Sequence, residues 1–340
     1  MASGFKKATV TSGDVPSTQT NFPAYVDLSR IGITTLAEAQ SVRVYADSSK
    51  TTEWAREIVS ASEMHTKIPS LTSTTDIYVD WDGVRADYSP TDTYGRNAVW
   101  SSYEFVSHLI GTTDSAGNHN LTANGGVTLG GVAGQIGNGT DFDGTNDTAT
   151  STGSNMGAKG AFAVQFWINP DTVSTRQGVV MNTDGTGFAG DSFGVEMGGT
   201  SGVLQFRLST SSVGSGFSSL DSSASMTTGS WQKVTATRNS NVASIYRNGT
   251  SIGSSSGFVT ANSNNLALFG IGAFGTGAFL YYDGKLDEVR IANFEITANW
   301  ETTEYNNQSD ESGFWGTWTT VTGFTPSPMI HMMGITGGII

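Results

Sequence analysis

The chain has 340 residues, no cysteine and a formal net charge of −13. That length accommodates two domains, or one large all-β domain with an extension. The missing thiols exclude disulfide staples, and the acidic balance disfavours nucleic acid and anionic membranes as partners. Charged residues are only 14% of the chain, aromatics reach 10% and glycines number 43. This is the composition of a turn-rich β protein with real cores, not of a disordered chain.

The opening "MASGFKKATVTSGDVPSTQTN" has two lysines but no apolar stretch behind them, so no Sec signal is expected. No apolar run is long enough for a membrane span, so no membrane insertion is expected. "NFPAYVDLS" and "SVRVYAD" read as strands, "TTLAEAQ" between them as a short helix, and "AREIVSASE" as a strand despite its helical propensity. "TDIYVDWDG" alternates and ends in an Asp-Gly turn. Near residues 95–110 the composition changes from charge-dense to Gly/Ser/Thr-rich, which marks a boundary.

"GTDFDGTNDTATST", Gly139 to Thr152, gathers Asp141, Asp143 and Asp147 around a glycine. It fails as an EF-hand. Counted from Asp141, the glycine comes too early, and Thr152 stands where the bidentate Glu belongs. Two readings stay open. One is a turn whose Asp143 and Asp147 accept backbone N–H bonds. The other is a structural Ca2+ site formed by Asp143, Asp147 and a distant ligand. The candidate for that ligand is Asp287. Strict alternation in "KLDEVRI" puts it on the face of Val289 and Ile291, with Glu288 and Arg290 opposite as an exposed pair. A carboxylate on an apolar face needs a partner or a cation.

In "FAVQFWINP", Phe162, Val164, Phe166 and Ile168 share one face. "VLQFRLS" places Leu204, Phe206 and Leu208 together, with Gln205 and Arg207 opposite. Trp167 falls outside the core set and Trp231 begins a strand. Each is a candidate glycan-stacking surface or a cover for the second sheet face. "ASIYRNGTSIGSS" is a hairpin, because Asn248-Gly249 supplies the two positive-φ residues of a type I′ turn. Asp283-Gly284 is expected to turn in the same way. "TANWETTEYNNQ" reads as a helix with Thr297 as its N-cap.

Several motifs carry no catalytic chemistry in their context. "GIGAFG" matches a dinucleotide fingerprint, but a strand follows it and not a helix. "GSSSG" lies in a Gly/Ser stretch after a hairpin and not at a nucleophile elbow. His65, His108, His119 and His331 show no paired zinc spacing, and His108 reads as a packed or hydrogen-bonded residue. No E-x-D-x-E run supplies the paired carboxylates of glycoside hydrolysis. Beyond Pro326 and Pro328 the chain is uncharged. There Met329, Ile330, Met332, Met333, Ile335, Ile339 and Ile340 form a candidate partner-docking segment.

"NFPAYVDLS", "SVRVYADSSKTTEWAREIVSASE", "HTKIPSLTSTTDIYVDWDG" and "AVWSSYEFVSHLIGTTDSAGNHNLTANGGV" together resemble the DUF2341 family. "IGNGTDFDGTNDTAT", "GSWQKVTATRNSNVASIYRNGTSIG" and "YDGKLDEVRIANFEITANWETTEYNNQ" resemble a LamG-like, concanavalin A-like jelly roll. The resemblance implies an all-β chain in three parts: an N-terminal β module at 1–98, a jelly roll at 99–318 and an apolar tail at 319–340. It hosts lectins, hydrolases, adhesins and virion proteins alike. The leading expectation is a non-enzymatic bacteriophage virion component: a capsid decoration, head fibre or tail-associated protein. It would be assembled in the host cytoplasm, with other virion proteins and its own copies (a trimer) as partners, and glycans as a candidate ligand. An exported carbohydrate-binding adhesin and a glycan-cleaving enzyme with an unrecognised acid pair are the alternatives.

Overall fold

The computed structural model of the chain describes residues 3–152, 156, 160–183, 193–199, 201–209, 217–258, 268–274 and 279–322. The expected docking segment, Met329 to Ile340, lies outside the described residues. The fold is mostly β, with antiparallel sheets.

The N-terminal module is built on two sheets. One contains, in spatial order, Thr319–Thr320, Gly4–Thr9, Asp76–Trp81, Arg43–Tyr45 and Glu53–Trp54; the other runs Gln19–Asp27, Glu63–Leu71, Arg56–Ile58. In Asp76–Trp81 the expected alternation holds: Ile77, Val79 and Trp81 are buried and the residues between them half-buried. "AREIVSASE" does supply a strand, Arg56–Ile58. The helix Leu36–Gln40 starts with a capping box in which Thr35 accepts from Glu38 N and Glu38 reaches back to the cap.

The jelly roll packs two larger sheets, of eight and seven strands among the described residues. Strand Ala161–Pro170 turns Phe162, Val164, Phe166 and Ile168 into the core, where they meet Leu204, Phe206 and Leu208 of Val203–Ser209. Asn248 and Gly249, at φ 51° and 77°, turn the chain between Val242–Arg247 and Thr250–Ser256 as a type I′ pair should. Asp283-Gly284 does not turn. It opens the long strand Asp283–Ala292, and Gly284 pairs with both Phe142 and Pro170. Glycine is needed there because a Cβ would lie 2.6 Å from the Asn169 carbonyl oxygen.

The C-terminal stretch returns to the first module. Ile296, Trp300, Phe314 and Trp315 belong to the N-terminal core, and Thr319 and Thr320 pair with Lys7 and Lys6. A jelly roll ending at 318 and a tail beginning at 319 therefore do not describe how this stretch packs. Helix Ala298–Ser309, capped by Thr297 as expected, lies between the modules and buries mostly polar residues. Its packing rests on hydrogen bonds. Asn307 accepts from Tyr25 N (2.7 Å) and donates to Tyr25 O (3.0 Å), which ties the helix to strand Gln19–Asp27. On its other face, Gln308 accepts from Trp167 Nε1 (2.7 Å).

Candidate functional site

Strand Asp283–Ala292 changes neighbours halfway along. Its first half pairs with Thr140–Asp143 and its second half with Tyr103–Ser107, while on its other edge the register slips between Gln165 and Trp167. Glu288 sits at that irregularity with φ 52°, a bulge that puts one extra residue in the strand. The bulge overturns the alternation expected for "KLDEVRI". Leu286, Val289 and Ile291 fill the jelly-roll core. Asp287, Glu288 and Arg290 are also fully buried, and the partners of Glu288 and Arg290 come from the module junction. Glu288 and Arg290 do pair, at 3.1 Å through Nε, but in the interior and not at the surface.

The three aspartates expected to share Ca2+ are not brought together. Asp143 lies opposite Asp283, four residues before Asp287 on the same strand, about 13 Å along it. Asp143 accepts from Thr145 N (2.8 Å) and Asn146 N (3.2 Å), and Asp147 accepts from Asp143 N (3.3 Å). This is the turn reading of the acidic loop. Asp287 is partnered by a backbone amide, Ile136 N at 2.9 Å. Burial and the neighbouring Glu288 raise its carboxyl well above the usual range.

The bulge instead delivers Glu288 to a centre that sequence spacing concealed. His65, from strand Glu63–Leu71, stacks on His108, which follows Tyr103–Ser107; their ring centroids are 4.9 Å apart. Glu63, His65, His108 and Glu288 are all buried, and each offers a ligand atom within 4.8 Å of the others. His108 Nδ1 lies 2.5 Å from Glu288 Oε1 and 3.4 Å from Glu63 Oε1. His65 Nε2 lies 3.3 Å from Glu63 Oε1 and 3.9 Å from Glu288 Oε2. On the far side of His108, Nε2 lies 3.1 Å from Glu57 Oε2. Glu57 is held in turn by Ser115 Oγ (2.5 Å) and by the indole N–H of Trp100.

The charges alternate through this junction. Burial works to lower the pKa of His108, but Glu288 and Glu57 outweigh it and hold the imidazolium well above the ordinary value. Burial works to raise Glu57, but His108, Ser115 and Trp100 bring it down to about 2. Glu288 is likewise held low against its burial by His108 and Arg290. Arg290 reaches on to Glu304 (2.8 Å), and Glu304 to Lys233 (3.0 Å), which also meets Glu301 (2.6 Å). The chain Glu57–His108–Glu288–Arg290–Glu304–Lys233 thus runs from one module into the other and, through Glu304 of the interposed helix, back to the jelly-roll strand Gln232–Asn239. For the two remaining groups burial favours the uncharged form. Burial and Glu288 push Glu63 well up, and burial lowers His65 to about 3.

Trp167 is not a surface platform. Helix Ala298–Ser309 covers it, leaving it 2% exposed, with Tyr305 against its ring. Trp231 is half-buried just ahead of strand Gln232–Asn239. Two clefts open on the junction. One, about 260 Å3, is lined by Glu57, His108, Arg96 and Ser115 among others. The second, about 480 Å3, is lined by Asn21, Ser101, Ser102, Asn293, Phe294 and Trp300, with Thr20 at its edge. Periodicity had no way to indicate either cleft, because each draws on segments far apart in sequence.

Residues 143–300 match the concanavalin A-like lectin/glucanases superfamily, and this part of the chain is a concanavalin A-like jelly roll. No curated protein matches the sequence. Among solved structures, the chain is similar to the binding domain of Paraclostridial Mosquitocidal Protein 1 (TM-score 0.49, 17% identity, 61% of this chain and 52% of that one). It is also similar to domain 4 of an extracellular arabinanase from Geobacillus stearothermophilus, solved with arabinotriose (TM-score 0.48, 18%, 59% and 97%). A third is the botulinum neurotoxin serotype D binding domain (TM-score 0.48, 17%, 61% and 51%). The chain spans about half the length of the mosquitocidal and neurotoxin domains.

Proposed function

We propose that this protein is a non-enzymatic carbohydrate-binding surface protein, and that the 480 Å3 junction cleft is where a glycan sits. The carrying observation is the chemistry of that lining. Phe294 and Trp300 pack at 5.0 Å with planes at 68°, and supply the aromatic surface that apolar C–H faces of a sugar stack on. Asn21, Asn293, Ser101 and Ser102 supply neutral donors and acceptors for hydroxyls. None of the lining residues is ionisable, which suits binding an uncharged saccharide and gives no acid–base pair for cleaving it. The volume falls within the roughly 300–1,000 Å3 of typical ligand sites. A superfamily named for lectins is consistent with this reading.

The finer reading is a virion component of a bacteriophage. A cysteine-free body folds in a reducing cytoplasm, and two modules locked by a buried charge chain suit a part that then works outside the cell. Its partners would be other virion proteins and its own copies, docked through the segment Met329 to Ile340.

Glycan-array binding followed by titration tests the first reading. Phe294→Ala and a cleft-filling Ser101→Trp should each weaken the best saccharide at least tenfold. Phe294→Ala also lowers the melting temperature, because its ring packs on Tyr103 and Trp300, whereas the change at the exposed Ser101 leaves it nearly unchanged. No saccharide bound, or binding indifferent to both changes, overturns it. Purified particles test the second: the protein should co-purify with them, and deletion of residues 326–340 should release it while both cores stay folded.

A further inference from the structure

We propose that Glu63, His65, His108 and Glu288 bind one divalent transition-metal ion of the zinc class, which clamps the two modules together. Tetrahedral zinc with ligands at about 2.0–2.1 Å has ligand atoms about 3.3–3.4 Å apart. Glu63 Oε1 stands 3.3 Å from His65 Nε2 and 3.4 Å from His108 Nδ1, so two edges of that tetrahedron already exist. A third contact, His108 Nδ1 to Glu288 Oε1, is shorter at 2.5 Å, while the other oxygen of Glu288 stands 3.9 Å from His65 Nε2; one ligand atom from each of the four residues lies within 4.8 Å of the rest. Two imidazole nitrogens with two carboxylate oxygens is a donor set that zinc accepts and that calcium, which takes oxygen ligands, does not favour.

The surroundings supply independent support. Metal-binding histidines hand their second nitrogen to a carboxylate, which fixes the ring. His108 does this: Nδ1 faces the centre and Nε2 meets Glu57, itself fixed by Ser115 and Trp100. The second oxygen of Glu288 is held by Arg290, which leaves the first, shared with His108 Nδ1, as the oxygen an ion takes. His65 is fully buried, yet among the described residues its Nδ1 has no partner and its Nε2 faces only Glu63 and Glu288. A buried imidazole with no other hydrogen-bonded attachment, aimed at two carboxylates, lacks a reason in the fold unless something sits between them. On entry, the ion replaces the proton shared by His108 Nδ1 and Glu288 Oε1, and Glu63 binds as its carboxylate, so the proton that burial favours on it leaves as well; both go to solvent.

The test uses the full chain, stripped with chelator and titrated with Zn2+ and Co2+ alone. One equivalent should bind. Co2+ should give the intense visible absorption of a four-coordinate site, and Zn2+ should raise the melting temperature. Glu63→Gln, which keeps the shape, should stay folded but weaken Zn2+ at least tenfold. Glu57→Gln should weaken it by about 10–100-fold. Asp143→Ala should leave Zn2+ affinity unchanged. A chain that binds no stoichiometric Zn2+, a six-coordinate Co2+ spectrum, or a folded Glu63→Gln that binds as the parent does overturns the proposal.

Discussion

Glu288 lies on a strand whose edge pairs with Tyr103–Ser107, His108 follows that partner strand directly, and the 2.5 Å contact between their side chains joins one charge chain to another. On one side His108 reaches Glu57 in the N-terminal module; on the other Glu288 reaches Arg290 and, through it, Glu304 of the interposed helix. The two modules therefore share an interior that is electrostatic at its centre and apolar around it, with Trp100, Val106, Ala163, Ala292 and Trp300 in one common cluster. Buried pairs of this kind contribute little net stability against an apolar replacement, but they penalise any loss of one partner. They specify one docking of the modules.

Arg290→Met is the sharpest probe of that arrangement. It leaves Glu288 and Glu304 facing each other in a dry interior, with the indole of Trp100 no longer covered by the guanidinium 4.7 Å from its ring. The expected loss is about 3–5 kcal/mol, read from urea unfolding. A loss below about 1 kcal/mol shows that the junction is hydrated and the chain of pairs is not buried in solution.

Trp167→Phe separates the two roles that the sequence allowed for this residue. The structure gives its indole nitrogen one bond, to Gln308, so the change should cost about 1 kcal/mol of stability. Saccharide affinity should not move. A tenfold fall in glycan binding with unchanged stability restores Trp167 as a stacking surface.

Asp143→Ala addresses the acidic loop. Asp143 is exposed, and the amides of Thr145 and Asn146 hold its carboxyl below the usual range. Removing them should cost about 0.5–1 kcal/mol, equally in calcium and in EDTA. A cost that appears only with calcium present shows an ion at the loop.

The residues that could be read from sequence are those whose role is local. Phe162 to Ile168 alternate, Asn248-Gly249 needs positive φ at two successive positions, and Thr297 caps a helix; each signal spans ten residues or fewer. The centre was illegible for a definite reason. His65 lies on a strand of one module and His108 just after a strand of the other, with no fixed spacing to betray them. Glu288 joins them only because a bulge breaks the period of two in "KLDEVRI". Trp167 was correctly placed outside the jelly-roll core, but what covers it is a polar helix from the chain's far end. Alternation states which face a side chain takes and is silent on what lies against that face.

Glu311 gives the junction a pH dependence whose sign follows from its surroundings. It opens the short helix Glu311–Trp315, is buried, and meets Arg30 at 2.6 Å. Burial raises its pKa more than Arg30 lowers it, so the carboxyl is pushed up to about 7 from the 4.5 of an exposed glutamate. Between those values the folded state holds a proton that the unfolded state has released. Stability is therefore fully present below about pH 4.5 and falls as pH rises through 7, by about 3 kcal/mol in all. Glu311→Gln, which stays neutral and keeps a group for Arg30 to bond, should remove that part of the slope. Melting temperatures recorded for both proteins from pH 4.5 to 8 should diverge upward, with the variant the more stable at pH 8. Parallel curves across the range, or a parent that gains stability relative to the variant as pH rises, show that the ion pair with Arg30 outweighs burial and that Glu311 is ionised throughout.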